Sequence, residues 1–135
     1  GENPVLPYVE GVDVRGGSAD LCFTSDPGAA AWTFSVMRVS LYFSSGGSPS
    51  SVDVGDGPSP TTLPIGGSYG STAGTVGSLS PGDRKRVELD FDSGISESGN
   101  EFFIVSVRFD DGADVRTLSY IVSVTDSGSC PSPGP

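Results

Sequence analysis

An all-β fold, an immunoglobulin-like antiparallel β-sandwich formed by one domain over 1–135, is predicted by three features of the sequence. Apolar and polar residues alternate at period two in short segments, those segments are bounded by clusters of Gly, Pro, Asp and Ser, and helical periodicity is nearly absent. A chain of 135 residues suits one two-layer core and is too short for two. With 35% hydrophobic residues, 20 glycines and 11 prolines, that core must be compact and much of the backbone irregular.

Taken in order, Tyr8 to Arg15 reads as the first strand, with Val12 and Val14 on one face. Ala19 to Thr24 reads as the second, with Leu21 and Phe23 on one face and Cys22 on the other. The Ala29-Ala30-Ala31 stretch after Asp26-Pro27-Gly28 is expected to form at most a helical turn. Between Trp32 and Ser44 the apolar phase switches: Trp32, Phe34 and Val36 share one parity, and Met37, Val39, Leu41 and Phe43 share the other. One strand cannot bury both sets on one face, so a bulge, a kink or a crossing between sheets is expected near Val36 and Met37.

Ser44 to Gly82 is a long Ser/Gly/Pro-rich excursion with Asp53 and Asp56 as its only charges. Its scattered Val52, Val54, Leu63, Ile65, Tyr69, Val76 and Leu79 predict one or two short edge strands. Its hydroxyls are candidates for O-linked sugar, while neither Asn3 nor Asn100 sits in an N-linked sequon. Beyond it, Val87, Leu89 and Phe91 alternate with Arg86, Glu88, Asp90 and Asp92, as a half-exposed strand requires. Phe102 to Phe109 is apolar on nearly both parities, which suits a central strand. Asp110-Asp111-Gly112-Ala113 turns the chain, and Val115 to Thr125 returns as the hairpin partner with Leu118, Tyr120, Val122 and Val124 in phase. A Pro-rich tail covers 128–135.

The net charge of -10, from 17 Asp and Glu against six Arg and the single Lys85, repels phosphate backbones and anionic membranes, so nucleic acid is excluded as a main partner. A carboxylate-rich, lysine-poor surface answers high salt or belongs to an ordinary acidic secreted protein. No apolar run approaches the ~20 residues that span a bilayer, so no membrane insertion by this segment is expected, and no signal-like region opens the chain, which reads as a mature or trimmed form. The two cysteines, Cys22 and Cys130, flank almost the whole strand-bearing region. A bridge between them would close a loop of roughly a hundred residues, worth about 4–5 kcal/mol, and fits an extracellular, cell-surface location. The alternative is one buried thiol and one in a loose tail.

Catalysis at neutral pH usually draws on His, an activated Cys or Lys, or paired carboxylates. With no His and a single Lys, the candidates reduce to Glu88, Asp90 and Asp92 along one strand, which as a stripe on a strand face reads more simply as solvated surface. No enzyme activity and no cofactor are expected. Asp90, Asp92, Gly94, Ser96, Ser98 and Glu101 follow the ligand spacing of a calcium-binding loop, making Asp90, Asp92 and Glu101 calcium candidates. Against them, Ile95 stands where that loop needs glycine. Asp110, Asp111 and Asp114 form another oxygen cluster, though turns favour Asp for local hydrogen bonding alone. Trp32 and the four tyrosines could build a sugar-binding platform or simply fill the core.

Three stretches resemble the globular domains of archaeal flagellins and archaeal type IV-like pilins. They are Val9-Glu10-Gly11-Val12-Asp13-Val14, then Leu79-Ser80-Pro81-Gly82-Asp83 leading into Arg86 to Phe91, then Gly99-Asn100-Glu101-Phe102-Phe103-Ile104-Val105 running to Asp111-Gly112. The resemblance implies an immunoglobulin-like sandwich on the outside of a filament, without cofactor and often glycosylated. Those subunits polymerise through a long hydrophobic N-terminal helix that this sequence does not contain, so either that helix lies outside it or assembly proceeds otherwise. The segment Asn3 to Val9 offers another route, adding to a neighbour's sheet edge with Val5, Leu6 and Tyr8 as assembly residues, or else pairing within its own domain. The expected function is therefore a structural subunit of an extracellular filament that assembles with itself head to tail through its termini. The alternative is a cell-surface or virion adhesion domain that contacts surface glycans or a host surface through the excursion.

Overall fold

The computed structural model describes residues 5–42, 49–55, 60–66, 74–95, 101–125 and 128. They form nine strands and no helix: β1 (Tyr8–Arg15), β2 (Ser18–Thr24), β3 (Trp32–Tyr42), β4 (Ser51–Val54), β5 (Thr61–Pro64), β6 (Gly74–Leu79), β7 (Arg84–Phe91), β8 (Phe102–Asp110) and β9 (Val115–Ser123). All pairings are antiparallel, in a five-stranded sheet ordered β1-β2-β7-β4-β5 and a four-stranded sheet ordered β6-β3-β8-β9. The two sheets pack face to face as a β-sandwich, as the alternation predicts.

The core is the sum of the inward parities. Leu21, Phe23, Val87, Leu89, Val52, Val54 and Leu63 from the first sheet meet Trp32, Phe34, Phe103, Val105, Val107 and Phe109 from the second, all essentially inaccessible to water. Phe23 sits at the centre, with ring centroids 5.3 Å from Phe34, 6.1 Å from Phe109 and 5.6 Å from Tyr120. Tilted and edge-to-face contacts of this kind add about 0.5–1.5 kcal/mol each beyond the area buried. Trp32 belongs to this core, its ring 6.4 Å from Phe109 and its Nε1 donating to the Val5 carbonyl at 3.1 Å.

The phase switch in β3 is resolved by a β-bulge. β3 pairs with β8 continuously except for a register shift between Val36 and Arg38, which leaves Met37 as the extra residue. Val36 and Val39 therefore both face inward despite their odd separation, and Leu41 packs against the same core. Phe43, the last member of the expected set, lies outside the described residues. The Ala29 region holds a turn and no helix: Ala29 N donates to the Asp26 carbonyl at 3.0 Å, and Gly28 N to Asp26 Oδ1 at 2.9 Å.

The excursion is more structured than expected. Its described residues supply three strands, and β4 is internal, hydrogen-bonded to β7 on one side and β5 on the other. Val52 and Val54 are fully buried because β4 extends the sheet along the β7 edge opposite β2 and turns both side chains into the core. Short apolar pairs in a Ser- and Gly-rich stretch give little periodic signal, so only their tertiary partners reveal them as central.

Candidate functional site

The candidate carboxylates among the described residues lie on a sheet face and in turns. The outer face of the five-stranded sheet gathers Asp13, Asp20, Asp53, Glu88 and Asp90, because β1, β2, β7 and β4 place these residues on the same parity. Registry aligns Asp13 with Asp20 and Asp20 with Glu88 in one row, and Ser18 with Asp90 and Asp90 with Asp53 in the next. Arg15 bridges two strands, with Nε 3.1 Å from Asp13 and a terminal nitrogen 2.8 Å from Asp20. Asp20 is 4% exposed, and its Oδ1 lacks a hydrogen-bond partner. At the far end of the face, Glu10 accepts from Thr24 Oγ1 and pairs with Arg84 at 3.2 Å.

Glu88 is the perturbed acid of this face. A hydrogen bond to Asp90, partial burial, and the negative charges of Asp90 and Asp20 all raise its pKa, while Arg86 partly opposes them. Two neighbouring carboxyls that share a proton can do so only with one of them neutral. Asp92, beyond the end of β7, behaves oppositely. It accepts from Ser50 Oγ at 2.6 Å and Ser50 N at 2.9 Å, and those bonds lower its pKa.

The three calcium candidates are thus separated in role. Asp90 faces solvent beside Glu88 and Asp53, Asp92 holds the start of β4 through Ser50, and Glu101 is 2% exposed, with its carbonyl accepting from Val124 N. Residues 96–100 of the expected loop lie outside the described residues. Among the described residues no group of three or more acidic or sulfur ligands is placed to hold a metal ion. In the hairpin turn, Asp110 Oδ1 accepts from Gly112 N at 2.8 Å, and Asp111 Oδ1 accepts from Ala113 N at 2.9 Å and Asp114 N at 2.6 Å. These bonds lower the Asp111 pKa and spend its carboxylate on turn formation; Gly112 takes the positive φ of 95° that the turn requires.

The expected assembly residues divide. Leu6 packs against its own core, while Val5 and Tyr8 are 51% and 53% exposed. Val5 is nevertheless anchored by its carbonyl, which accepts from Trp32. Cys22 lies on the outer face of β2, buried, with Gly11 as its cross-strand neighbour on β1 and Arg86 on β7. Cys130 lies outside the described residues, but Gly128 N donates to the Val12 carbonyl at 2.9 Å and so lays the chain along β1, one residue from Gly11.

One surface gave no signal in the sequence reading. Tyr42 and Phe102 stack at 5.0 Å on the outer face of the four-stranded sheet, and the next row pairs Ile104 with Ile121. Ile121 is 73% exposed. Its parity relative to Leu118 and Val122 could have marked it as outward. No family model matches the chain, and no curated protein or solved structure matches it either.

Proposed function

We propose that this chain is a structural subunit of an extracellular, pilus- or flagellum-like filament, which assembles with copies of itself head to tail through its termini. The observation that carries the reading is the N-terminal segment. It is fixed to its own domain by Leu6 and the Val5 carbonyl, yet it holds the Val5 and Tyr8 side chains out in solvent, where a neighbour can bury them. An exposed apolar pair on an anchored arm loses little conformational freedom on docking, which favours association. The acidic face keeps free subunits soluble through charge repulsion, screened at high salt.

A Cys22–Cys130 bridge belongs to the same proposal. The hydrogen bond from Gly128 to Val12 brings the tail beside β1, and Gly11, which has no side chain, leaves room over Cys22. Covalent fastening of the tail suits a subunit exposed to an oxidising exterior. Hydroxyls in 44–82 are the proposed sites of glycan.

Negative-stain microscopy and light scattering of concentrated protein test the reading. Polymers that disappear when residues 1–9 are deleted are expected. A species that stays monomeric at high concentration and high salt refutes it.

A further inference from the structure

The four outer edges of the two sheets are not alike. β1 carries a bulge between Val9 and Gly11 and is hydrogen-bonded along its side by Gly128. β5 has four residues, ends in Pro64 and follows Pro60. β6 is short, contains Gly74 and Gly77, and meets β3 through a register shift between Phe34 and Ser35. Bulges, prolines, short length and a covering segment are the devices that keep sheet edges from pairing with other chains. Among the described residues β9 has none of them: it runs for nine residues in unbroken register with β8, without Pro or Gly.

The parity of β9 is fixed at both ends. Val124 N donates to the Glu101 carbonyl and Asp111 N to the Asp114 carbonyl, in the register that also pairs β8 with β9. Even-numbered residues of β9 therefore turn their N–H and C=O toward β8, and odd-numbered ones, Ser119 and Ile121 among them, turn theirs outward. Their side chains lie on the outer face beside Ile104, Phe102 and Tyr42. From 115 to 125 the only charged residue is Arg116, paired with Asp114 at 3.7 Å, so the stretch from Thr117 to Thr125 is uncharged on a chain of net charge -10.

We propose that the β9 edge docks the β9 edge of a second copy of this chain, antiparallel about a two-fold axis near Ser119 to Ile121, joining two four-stranded sheets into one. An uncharged strand is complementary to itself, which an isologous contact requires. It is also where two strongly acidic molecules can approach without opposing carboxylates. The apolar row of Ile121 and Ile104, continued by Phe102 and Tyr42, widens the contact on each side of the axis. The N-terminal arm of another copy is a poorer occupant, because Pro4 and Pro7 lack the N–H groups that an added strand donates. This lateral contact is independent of head-to-tail assembly through the termini.

Sedimentation analysis over a range of concentrations, on the full chain and on Ile121→Lys and Ser119→Pro, tests the proposal. Proline at 119 removes an outward N–H and leaves the β8 ladder intact, and lysine at 121 charges a side chain already in water. A reversible dimer is expected for the unaltered chain, weakened more than about tenfold in both variants while their circular dichroism is unchanged. Hydrogen exchange supplies a second readout that needs no variant, since the Ser119 and Ile121 amides should exchange rapidly when dilute and slow with dimer formation. A chain that remains monomeric at about millimolar concentration overturns the proposal. So does a dimer that survives both variants, or one that leaves those amides unprotected. Assembly lost on deleting residues 1–9 but kept in both β9 variants places the contact at the termini and overturns this inference alone.

Discussion

Deletion of Met37 is the sharpest test of how this fold reconciles its sequence with its core. Met37 is the extra residue of the β3 bulge, opposite the step from Val107 to Ser106 on β8. Without it, Phe34, Val36, Val39 and Leu41 fall on one continuous parity, and every existing pair of β3 with β8 can be kept. β6 is untouched, because its pairing with β3 ends at Val36. The expected loss is the burial of one partly covered methionine, roughly half of a full side-chain burial, or about 0.8–1.5 kcal/mol. Deleting Ser106 from the regular strand opposite has the contrary effect. It forces either Phe103 and Val105 or Val107 and Phe109, all no more than 1% exposed, out of the core. Two such burials are worth about 3–6 kcal/mol, comparable to the whole stability of a small domain. Urea unfolding followed by fluorescence of the single, fully buried Trp32 reads both. Equal destabilisation by the two deletions would refute the phase argument.

Two further outcomes follow from polar groups. Tyr120→Phe is expected to stabilise the domain by up to about 1 kcal/mol in the same urea assay, because the buried Tyr120 hydroxyl lacks a partner and burial raises its pKa to about 12; destabilisation would mean that the hydroxyl is satisfied. Stability should pass through a maximum in acid: Glu88, raised above its ordinary 4.5, contributes stability that is complete below 4.5 and lost as pH rises through its folded value. Asp92 and Asp111, lowered below 3.8, contribute stability present above 3.8 and lost as pH falls through their folded values. Thermal melts from pH 2 to 8 check this, and a monotonic rise with pH would contradict the assignment of Glu88.

Most of the strands were legible because a half-buried strand writes its environment into alternate residues. Arg86 to Phe91 and Val115 to Ser123 are the clearest cases, and even the β3 bulge was visible as a change of parity. Asp20 was not legible as a buried acid: its parity marks it as outward, and only the neighbouring strands and the Arg15 side chain close over it. β4 was read as peripheral because four residues carry too little pattern to show which neighbours they will have.

What the sequence determined alone was the two-sheet class, the inward parity of β2, β7 and β9, the turn at Asp110 to Asp114 and the acidic balance of the surface, since each follows from residue order and local chemistry. Tertiary structure decided the strand order, the internal place of β4 and the alignment of Asp13, Asp20 and Glu88 in one row. It also decided which strands lie at the sheet edges. Those depend on which strands become neighbours, and strand adjacency is set by pairing between residues far apart in the chain, about which an isolated segment carries no information.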